Sequence, residues 1–171
     1  MAALVDDLLL LSRLDAGRLQ LESQSIPLST LVAEIERTFG RVAEKAGVTL
    51  THQVDEELAV RGDPTRFRQV LLVLLDNALR HTPSGGAVEV RAQGLTARVR
   101  IEVHDTGPGI DPQDLPHVFE RFYRSNHRGT DAGSGLGLAI AKGLVEAQGG
   151  TISLENVTPT GTLAVIDLPR G

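Results

Sequence analysis

The chain has 171 residues, enough for one domain or for one domain with an appendage. Its 17 basic and 22 acidic residues give a net charge of −5, which argues against a nucleic-acid-binding surface, and the lack of cysteine excludes disulfide bonds and cysteine–zinc sites. The longest apolar runs, at 8–11 and 70–75, are far shorter than the roughly 20 residues that span a bilayer, and the acidic N-terminus is unlike a secretory signal. We therefore expect a soluble, cytoplasmic segment.

Two helices are predicted at the N-terminal end of the chain. The first covers residues 2–16 and the second covers residues 28–46, and each is followed by a glycine that favours helix termination. Because the first helix is short and rich in leucine, we expect it to need a partner surface. The apolar positions expected to face inward are Leu4, Leu8 and Leu11 in the first helix, and Leu31, Ile35 and Val42 in the second.

Strand and helix patterns alternate in the rest of the chain. Asp63 followed by Pro64 predicts a helix start, because the aspartate caps the helix and the proline stands where no amide hydrogen is needed. This helix is expected to run to about Arg80, and mixed helices and strands favour a two-layer α/β sandwich. The other predicted elements are strands at 48–54, 87–93, 97–103, 151–156 and 162–168, a helix at 136–148, and loops at 105–116 and 124–135.

The stretch GSGLGLAI at 133–140 places three glycines at alternate positions in front of the last helix. Each glycine costs about 0.5–1 kcal/mol relative to alanine in regular structure, so the cluster calls for a reason. Bare backbone N–H groups in front of a helix N-terminus can bind a phosphate, although a merely flexible loop is the alternative. The spacing is neither a P-loop nor a dinucleotide-binding fingerprint, and no strand precedes it.

Two further clusters carry polar side chains at the ends of predicted elements. Asp105 ends a strand before TGPGI, where its carboxylate could accept a hydrogen bond from an amine such as adenine N6; an aspartate that organises its own turn is the alternative. Asn77, Arg80 and His81 share one face of a helix and could bind Mg²⁺ and phosphate oxygens. The alternative for them is a solvated helix end with cations near its C-terminus.

The stretch FERFYR at 119–124 holds three of the five aromatic residues in the chain. These aromatic side chains could form a small satellite core under a loop. They could also anchor a lid whose arginines reach a phosphate.

Taken in order, LLDNALRHT, DTGPGI, FERFYR and GSGLGLAI resemble the N, G1, F and G2 boxes of the catalytic ATP-binding domain of sensor histidine kinases. These kinases belong to two-component systems, and the domain is of the GHKL, or Bergerat, type. The resemblance covers residues 27–171. It implies an α/β (α+β) fold, a two-layer sandwich with a mixed sheet of about five strands packed against about three helices and a flexible ATP lid.

The same resemblance implies roles for individual residues. Asn77 would coordinate Mg²⁺ and, with Arg121, serve in catalysis, while Arg80 and His81 would contact phosphates and Asp105 would bind adenine. The full set implied in ATP binding is Asn77, Arg80, His81, Asp105, Gly107, Gly109, Ile110, Arg121, Tyr123, Gly133, Ser134, Gly135, Leu136, Gly137 and Leu138.

Residues 1–17 resemble the C-terminal end of the second dimerisation helix that precedes this domain in such kinases, whereas their phosphoacceptor helix has no counterpart here. The implied partners are therefore the kinase's own dimerisation and phosphoacceptor domain and a downstream response regulator. The implied parent is a homodimeric sensor kinase of the cell membrane, with this segment as its cytoplasmic domain. We expect the segment alone not to phosphorylate itself.

Val73 departs from the pattern, since many of these kinases carry a second asparagine four residues before the metal-binding one. ATP-hydrolysing relatives and the anti-sigma-factor serine kinases resemble each other in placing a glutamate general base there, and valine cannot accept a proton. Two alternatives to a histidine kinase stay open at this point: a nucleotide-binding regulatory module with weak or no catalysis, and an anti-sigma-type serine kinase.

Overall fold

The computed structural model describes residues 2–124 and 133–171 and contains a five-stranded sheet with helices packed on it. The helices are α1 (Ala2–Asp15), α2 (Leu28–Ala46), α3 (Pro64–His81) and α4 (Gly137–Ala147). The strands are β1 (Gln24–Pro27), β2 (Thr49–Gln53), β3 (Ala59–Gly62), β4 (Ala87–Gly94), β5 (Arg98–Asp105), β6 (Thr151–Asn156) and β7 (Thr162–Pro169).

The large sheet has the strand order β2-β4-β5-β7-β6. Strands β2 and β4 are parallel and every other neighbouring pair is antiparallel, so the sheet is mixed, as expected. Parallel neighbours need a crossover connection, and α3 lies within it. Alternate residues of the central strands, such as Val90, Ile101 and Ile166, are buried beneath the helices. The predicted two-layer α/β sandwich with five strands is confirmed.

The structure also contains a two-stranded sheet that the sequence pattern did not predict. Strands β1 and β3 pair antiparallel, from Gln24 opposite Gly62 to Pro27 opposite Ala59. Each strand has only four residues, too few for an alternating pattern to stand out. Ile26 and Val60 nevertheless lie in the core. This small sheet fixes the segment before α2 close to the start of α3.

Helix α1 packs on α4, and its inward prediction holds for Leu11 and is wrong for Leu4 and Leu8. Leu10 and Leu11 are buried, whereas Leu4 and Leu8 are exposed by 41% and 42%. Leucines surround most of this helix, so the position of α4, rather than helical periodicity, decides which of them face inward. In α2 the inward prediction holds for Leu31 and Ile35 and is wrong for Val42, which is 50% exposed while the adjacent Ala43 is buried in its place.

Close contact between α1 and α4 depends on a glycine. A Cβ atom added to Gly143 would lie 2.9 Å from Cδ1 of Leu14.

Across residues 2–124 and 133–171, no helix has the length and hydropathy needed to cross a bilayer. The predicted flexible lid at 124–135 lies mostly outside the described residues.

Asp63 joins three parts of the chain at the start of α3. Its Oδ1 atom accepts a hydrogen bond from the Arg66 N–H at 3.0 Å, as the predicted helix cap, and its Oδ2 atom accepts one from the Glu22 N–H at 3.0 Å. Its own N–H donates to Oε1 of Gln148 at 2.7 Å, just after α4. Burial acts to raise the pKa of Asp63, but backbone N–H donors and the Arg66 guanidinium outweigh it and hold the pKa below its usual value.

Replacing Asp63 by alanine is expected to destabilise the fold by about 1–3 kcal/mol at pH 7, because a cap is lost and buried N–H groups lose their acceptor. A lowered folded-state pKa gives stability that is present above the unfolded-state pKa and lost as pH falls through the folded-state pKa. The difference from the native chain should therefore shrink below about pH 4. Urea unfolding measures the free energy of unfolding, and Glu56→Ala at an exposed position is the control. An equal loss of stability in both variants would contradict the role of the Asp63 hydrogen bonds.

Candidate functional site

One face of α3 runs beside the glycine loop, residues 133–137. A Cβ atom added to Gly133 would lie 3.3 Å from Nη1 of Arg80, and one added to Gly137 would lie 3.3 Å from Cγ1 of Val73. Asn77 lies one turn from both Val73 and Arg80 on this face. Asn77 is half-buried, and its amide makes no hydrogen bond to the other residues that the structure describes. The turns of α3 on either side of Asn77 therefore lie beside the glycine loop, and the role of Asn77 stays a prediction.

The glycine loop is also held against the FERFYR segment. The Phe122 N–H donates to the carbonyl of Gly135 at 2.9 Å, and a Cβ atom on Gly135 would come within 2.9 Å of the Phe122 backbone. Gly135 has φ +72°, which favours glycine, whereas Phe122 adopts φ 59° with its ring 58% exposed. Such a backbone for a non-glycine residue is strained and is typical of functional segments.

The glycine loop leads directly into α4. Leu136, which precedes the helix, is fully buried, and its N–H donates to Oγ of Ser134 at 3.3 Å. Gly137 and Leu138 form the first turn of α4. The N-terminus of this 11-residue helix therefore follows the loop at once, and free N–H groups there attract an anion.

Asp105 lies at the end of the central strand β5, and it is only 6% exposed. Its Oδ1 atom accepts a hydrogen bond from the Gly107 N–H at 2.8 Å, so the turn-forming alternative is also realised. A Cβ atom on Gly107 would lie 2.7 Å from the carbonyl oxygen of His81. The bare backbone of this turn therefore brings Asp105 up to the end of α3.

Burial raises the pKa of Asp105 above its usual value, and the N–H groups of Gly107 and Thr162 oppose this rise, together with His104 and His81. The ionised carboxylate is thus incompletely compensated by its surroundings. A hydrogen-bond donor on a ligand, such as an amine, would stabilise its charged form.

Two residues at this end of the sheet escaped the sequence analysis. Thr162 lies directly opposite Asp105 in the β5–β7 pairing. Asn156, at the end of β6, accepts from the N–H of Ile110 and donates to its carbonyl, both at 2.7 Å, which fixes the turn that contains Gly109. Only long-range strand pairing brings these residues to Asp105, so no local pattern could have identified them.

A cavity of about 520 Å³ opens between the end of α3 and the turn after β5. Its size falls within the roughly 300–1,000 Å³ of small-molecule sites. It connects the clusters around Arg80 and Asp105, which were predicted separately. The lining residues are Arg80, His81, Thr82, Pro83, Thr106, Gly107, Pro108 and Thr160.

Two of the predicted phosphate-binding arginines are paired with carboxylates. Arg80 contacts Asp76 at 2.7 Å within α3, and both side chains are exposed. Arg121 contacts Asp15, the last residue of α1, at 2.5 Å. Each of these guanidinium groups therefore already binds an oxygen anion, the kind of group that a phosphate also presents.

The FERFYR segment includes a small aromatic cluster. The Tyr123 hydroxyl donates to Oδ1 of Asp114 at 2.5 Å, which raises the pKa of Tyr123 to about 12, and its ring stacks on His117 at 5.4 Å. The ammonium group of Lys142 on α4 lies 5.5 Å from the centre of the Phe119 ring. These contacts fit the satellite-core alternative for Phe119 and Tyr123, whereas Phe122 and both arginines of the segment are exposed.

The donor set suits a magnesium ion that is held mainly by a ligand. Within the described residues, no group of three or more histidine, aspartate or glutamate side chains could hold a metal ion. Mg²⁺ in phosphate-binding sites keeps several waters and takes only one or two protein oxygens together with substrate phosphates. The unpaired amide of Asn77, beside the glycine loop, fits that pattern.

Comparison with known proteins agrees with this geometry. Sensor protein DivL of Caulobacter vibrioides is 38% identical over 99% of this chain and 22% of its own length, and sensor histidine kinase CusS of Escherichia coli O157:H7 is 40% identical over 99% and 35%. The chain thus spans about a fifth to a third of these relatives. Full-length ShkA in complex with AMPPNP superposes with a TM-score of 0.87 at 29% identity, over 99% of this chain and 35% of ShkA.

Residues 62–171 match the family model described as histidine kinase-, DNA gyrase B- and HSP90-like ATPase. These residues include the end of α3 and the turn after Asp105, which line the cavity, and the glycine loop that lies beside α3. The relatives that match nearly the whole chain are sensor proteins and sensor histidine kinases, and the chain belongs to the histidine kinase-, DNA gyrase B- and HSP90-like ATPase family.

Proposed function

We propose that this chain binds Mg-ATP and transfers its γ-phosphoryl group to a histidine on the dimerisation domain of a sensor histidine kinase. The observation that carries the proposal is a cavity of about 520 Å³ between the end of α3, at Arg80 and His81, and the turn that follows the buried Asp105. The glycine loop lies against the same helix, with Gly133 beside Arg80. The AMPPNP complex of ShkA supports the choice of nucleotide.

In this proposal the two ends of the nucleotide are bound by different chemistry. Asp105 accepts the exocyclic amine of adenine, and the turn containing Gly107, Gly109 and Ile110 shapes the base pocket. At the other end Arg80, His81 and the bare N–H groups of the glycine loop bind phosphate oxygens, which a helix N-terminus further stabilises. Arg121 approaches the terminal phosphate, and Tyr123 lies behind it.

Asn77 would hold the magnesium ion, whose charge neutralises phosphate oxygens when it is bound. The chain's own contribution is positioning. Glycine-loop N–H groups and Arg80 fix the phosphate chain, and the Asp105 turn fixes the adenine end. In the transfer itself an imidazole nitrogen of the acceptor forms a bond to the γ-phosphorus, the bond from that phosphorus to the bridging oxygen breaks, and ADP leaves.

Val73 favours transfer to a histidine over hydrolysis or serine phosphorylation. Its methyl groups lie beside Gly137, where the family's ATP-hydrolysing members would carry a general base. An apolar side chain cannot accept a proton from water or from a serine hydroxyl, whereas a neutral imidazole nitrogen is itself a nucleophile.

The phosphoacceptor is proposed to lie outside this chain. Within the described residues, His52 pairs with Glu36 at 2.6 Å and His117 with Glu120 at 2.7 Å, while His81 and His104 belong to α3 and β5. The phosphorylated acceptor would then pass its phosphoryl group to a response regulator. By the same proposal the parent is a homodimeric sensor kinase in a membrane, with this domain on the cytoplasmic side.

Replacing Asp105 by asparagine should weaken ATP binding by about 5- to 150-fold, because a donor then faces the adenine amine at a cost of about 1–3 kcal/mol. Since burial disfavours the ionised aspartate, the variant should be no less stable than the native chain. Calorimetry measures the affinity, and thermal unfolding measures the stability. Asp55→Asn, on an exposed turn, is the matched control; unchanged ATP affinity in a folded Asp105→Asn protein would remove the base-pocket assignment.

ATP affinity should also depend on pH through Asp105. A carboxyl with a raised pKa loses its charge, and with it one hydrogen-bond acceptor, at a higher pH than the ordinary value of about 3.9. We therefore expect the dissociation constant of the native chain to rise as the pH is lowered from 7, beginning at a higher pH than an ordinary aspartate would cause. Asp105→Asn should lack this step, and an identical pH profile in both proteins would contradict the role.

Incubation with γ-labelled ATP should leave this chain unlabelled, whereas an added dimerisation domain of a cognate kinase should become labelled on histidine.

An ATP-binding regulatory module, the second candidate, is favoured by the missing polar group at Val73. It would bind ATP and label neither protein. Acid-labile phosphate on the chain itself would show that it carries its own acceptor.

A further inference from the structure

Arg121 and Asp15 form an ion pair between residues 106 positions apart in the sequence. Among the ion pairs of the described residues, it is the one that joins α1 to the rest of the chain. Nη2 of Arg121 donates to Oδ1 of Asp15, and the two side chains are 45% and 55% exposed. Both groups are therefore within reach of water and of a competing ligand.

The ion pair stands next to a packed contact. Leu14, the neighbour of Asp15, packs closely against Gly143 of α4. Leu10 and Leu11, one turn earlier in α1, are buried. Asp15 is thus presented to Arg121 by a docked helix rather than by a loose terminus. The pairing holds only while α1 lies on α4.

The other side of Arg121 leads to the glycine loop. Its neighbour Phe122 is hydrogen-bonded through its N–H to Gly135, at 2.9 Å. The strained Phe122 backbone fixes where the chain turns, so Arg121 is positioned between the glycine loop and the end of α1. A guanidinium whose donors are taken by a carboxylate cannot present the same donors to a phosphate.

We propose that Asp15 acts as an internal competitor of the terminal phosphate for Arg121, so that docking of α1 on α4 and engagement of Arg121 by ATP oppose each other. The inference rests on the proposed ATP-binding function and concerns its regulation. Because the coupling is reciprocal, whatever pulls α1 away frees Arg121 for the nucleotide, and ATP in turn weakens the docking of α1. ADP, which lacks the terminal phosphate, leaves the pair undisturbed.

The test compares Asp15→Asn with Asp6→Asn, which removes the same charge from the other end of α1. An exposed ion pair changes an equilibrium constant by up to about fivefold, so Asp15→Asn should tighten Mg-ATP binding about two- to fivefold at low salt. Mg-ADP binding should stay unchanged, and the gain should fade at 0.5 M salt, where exposed charges are screened at about 4–5 Å. Asp6→Asn should behave like the native chain.

Hydrogen exchange gives a second readout on the native chain. Mg-ATP should reduce the protection of residues 10–15 relative to Mg-ADP, and this difference should disappear in Asp15→Asn. Equal affinities of the native chain and Asp15→Asn for Mg-ATP, or equal tightening for Mg-ATP and Mg-ADP, would overturn the competition. Failure of the native chain to bind Mg-ATP at all would instead overturn the proposed function, and the inference with it.

Discussion

The contact between the turn after β5 and the last turn of α3 is the constraint on which the site depends. At Gly107 the chain passes so close to the carbonyl of His81 that a Cβ atom would overlap it at 2.7 Å. This approach sets the distance between the carboxylate of Asp105 and the polar face that includes Asn77. Both groups belong to regular elements, a central strand and an 18-residue helix, so the separation is rigid and the cavity is formed before any ligand arrives.

The charged groups of the candidate site differ in how well the protein itself stabilises their charges. Asp105 is buried at an energetic cost, because its pKa is raised rather than lowered by its surroundings. Arg80 and Arg121 are instead satisfied by acidic neighbours at the surface. In the proposed complex, a phosphate would therefore have to compete with Asp76 for Arg80 and with Asp15 for Arg121.

Local sequence patterns predicted the elements of this fold well, because the core strands alternate, Asp63 caps the start of α3 and Gly47 ends α2. They failed where long-range packing decides the outcome. The four-residue strands β1 and β3 form only because they pair, and the buried face of α1 is selected by α4 among many leucines. In the site, the motif residues were predicted by order and spacing. The position of Thr162 next to Asp105 depends on strand register, which a local pattern does not show. The partner of Arg121 lies on a helix more than 100 residues away in the sequence.

Gly143 lowers the intrinsic stability of α4 but leaves room for the side chain of Leu14 on α1. A glycine inside a helix costs about 1 kcal/mol relative to alanine, and α4 carries one at the position that Leu14 covers. An unpartnered α4 would gain from a larger residue there, whereas the assembled pair would lose its closest approach. Helix α4, which follows the glycine loop, is therefore less stable as an isolated helix than it would be with a larger residue at position 143. A larger residue at position 143 would therefore require the Leu14 side chain to move, so a change on one helix calls for an adjustment of the other.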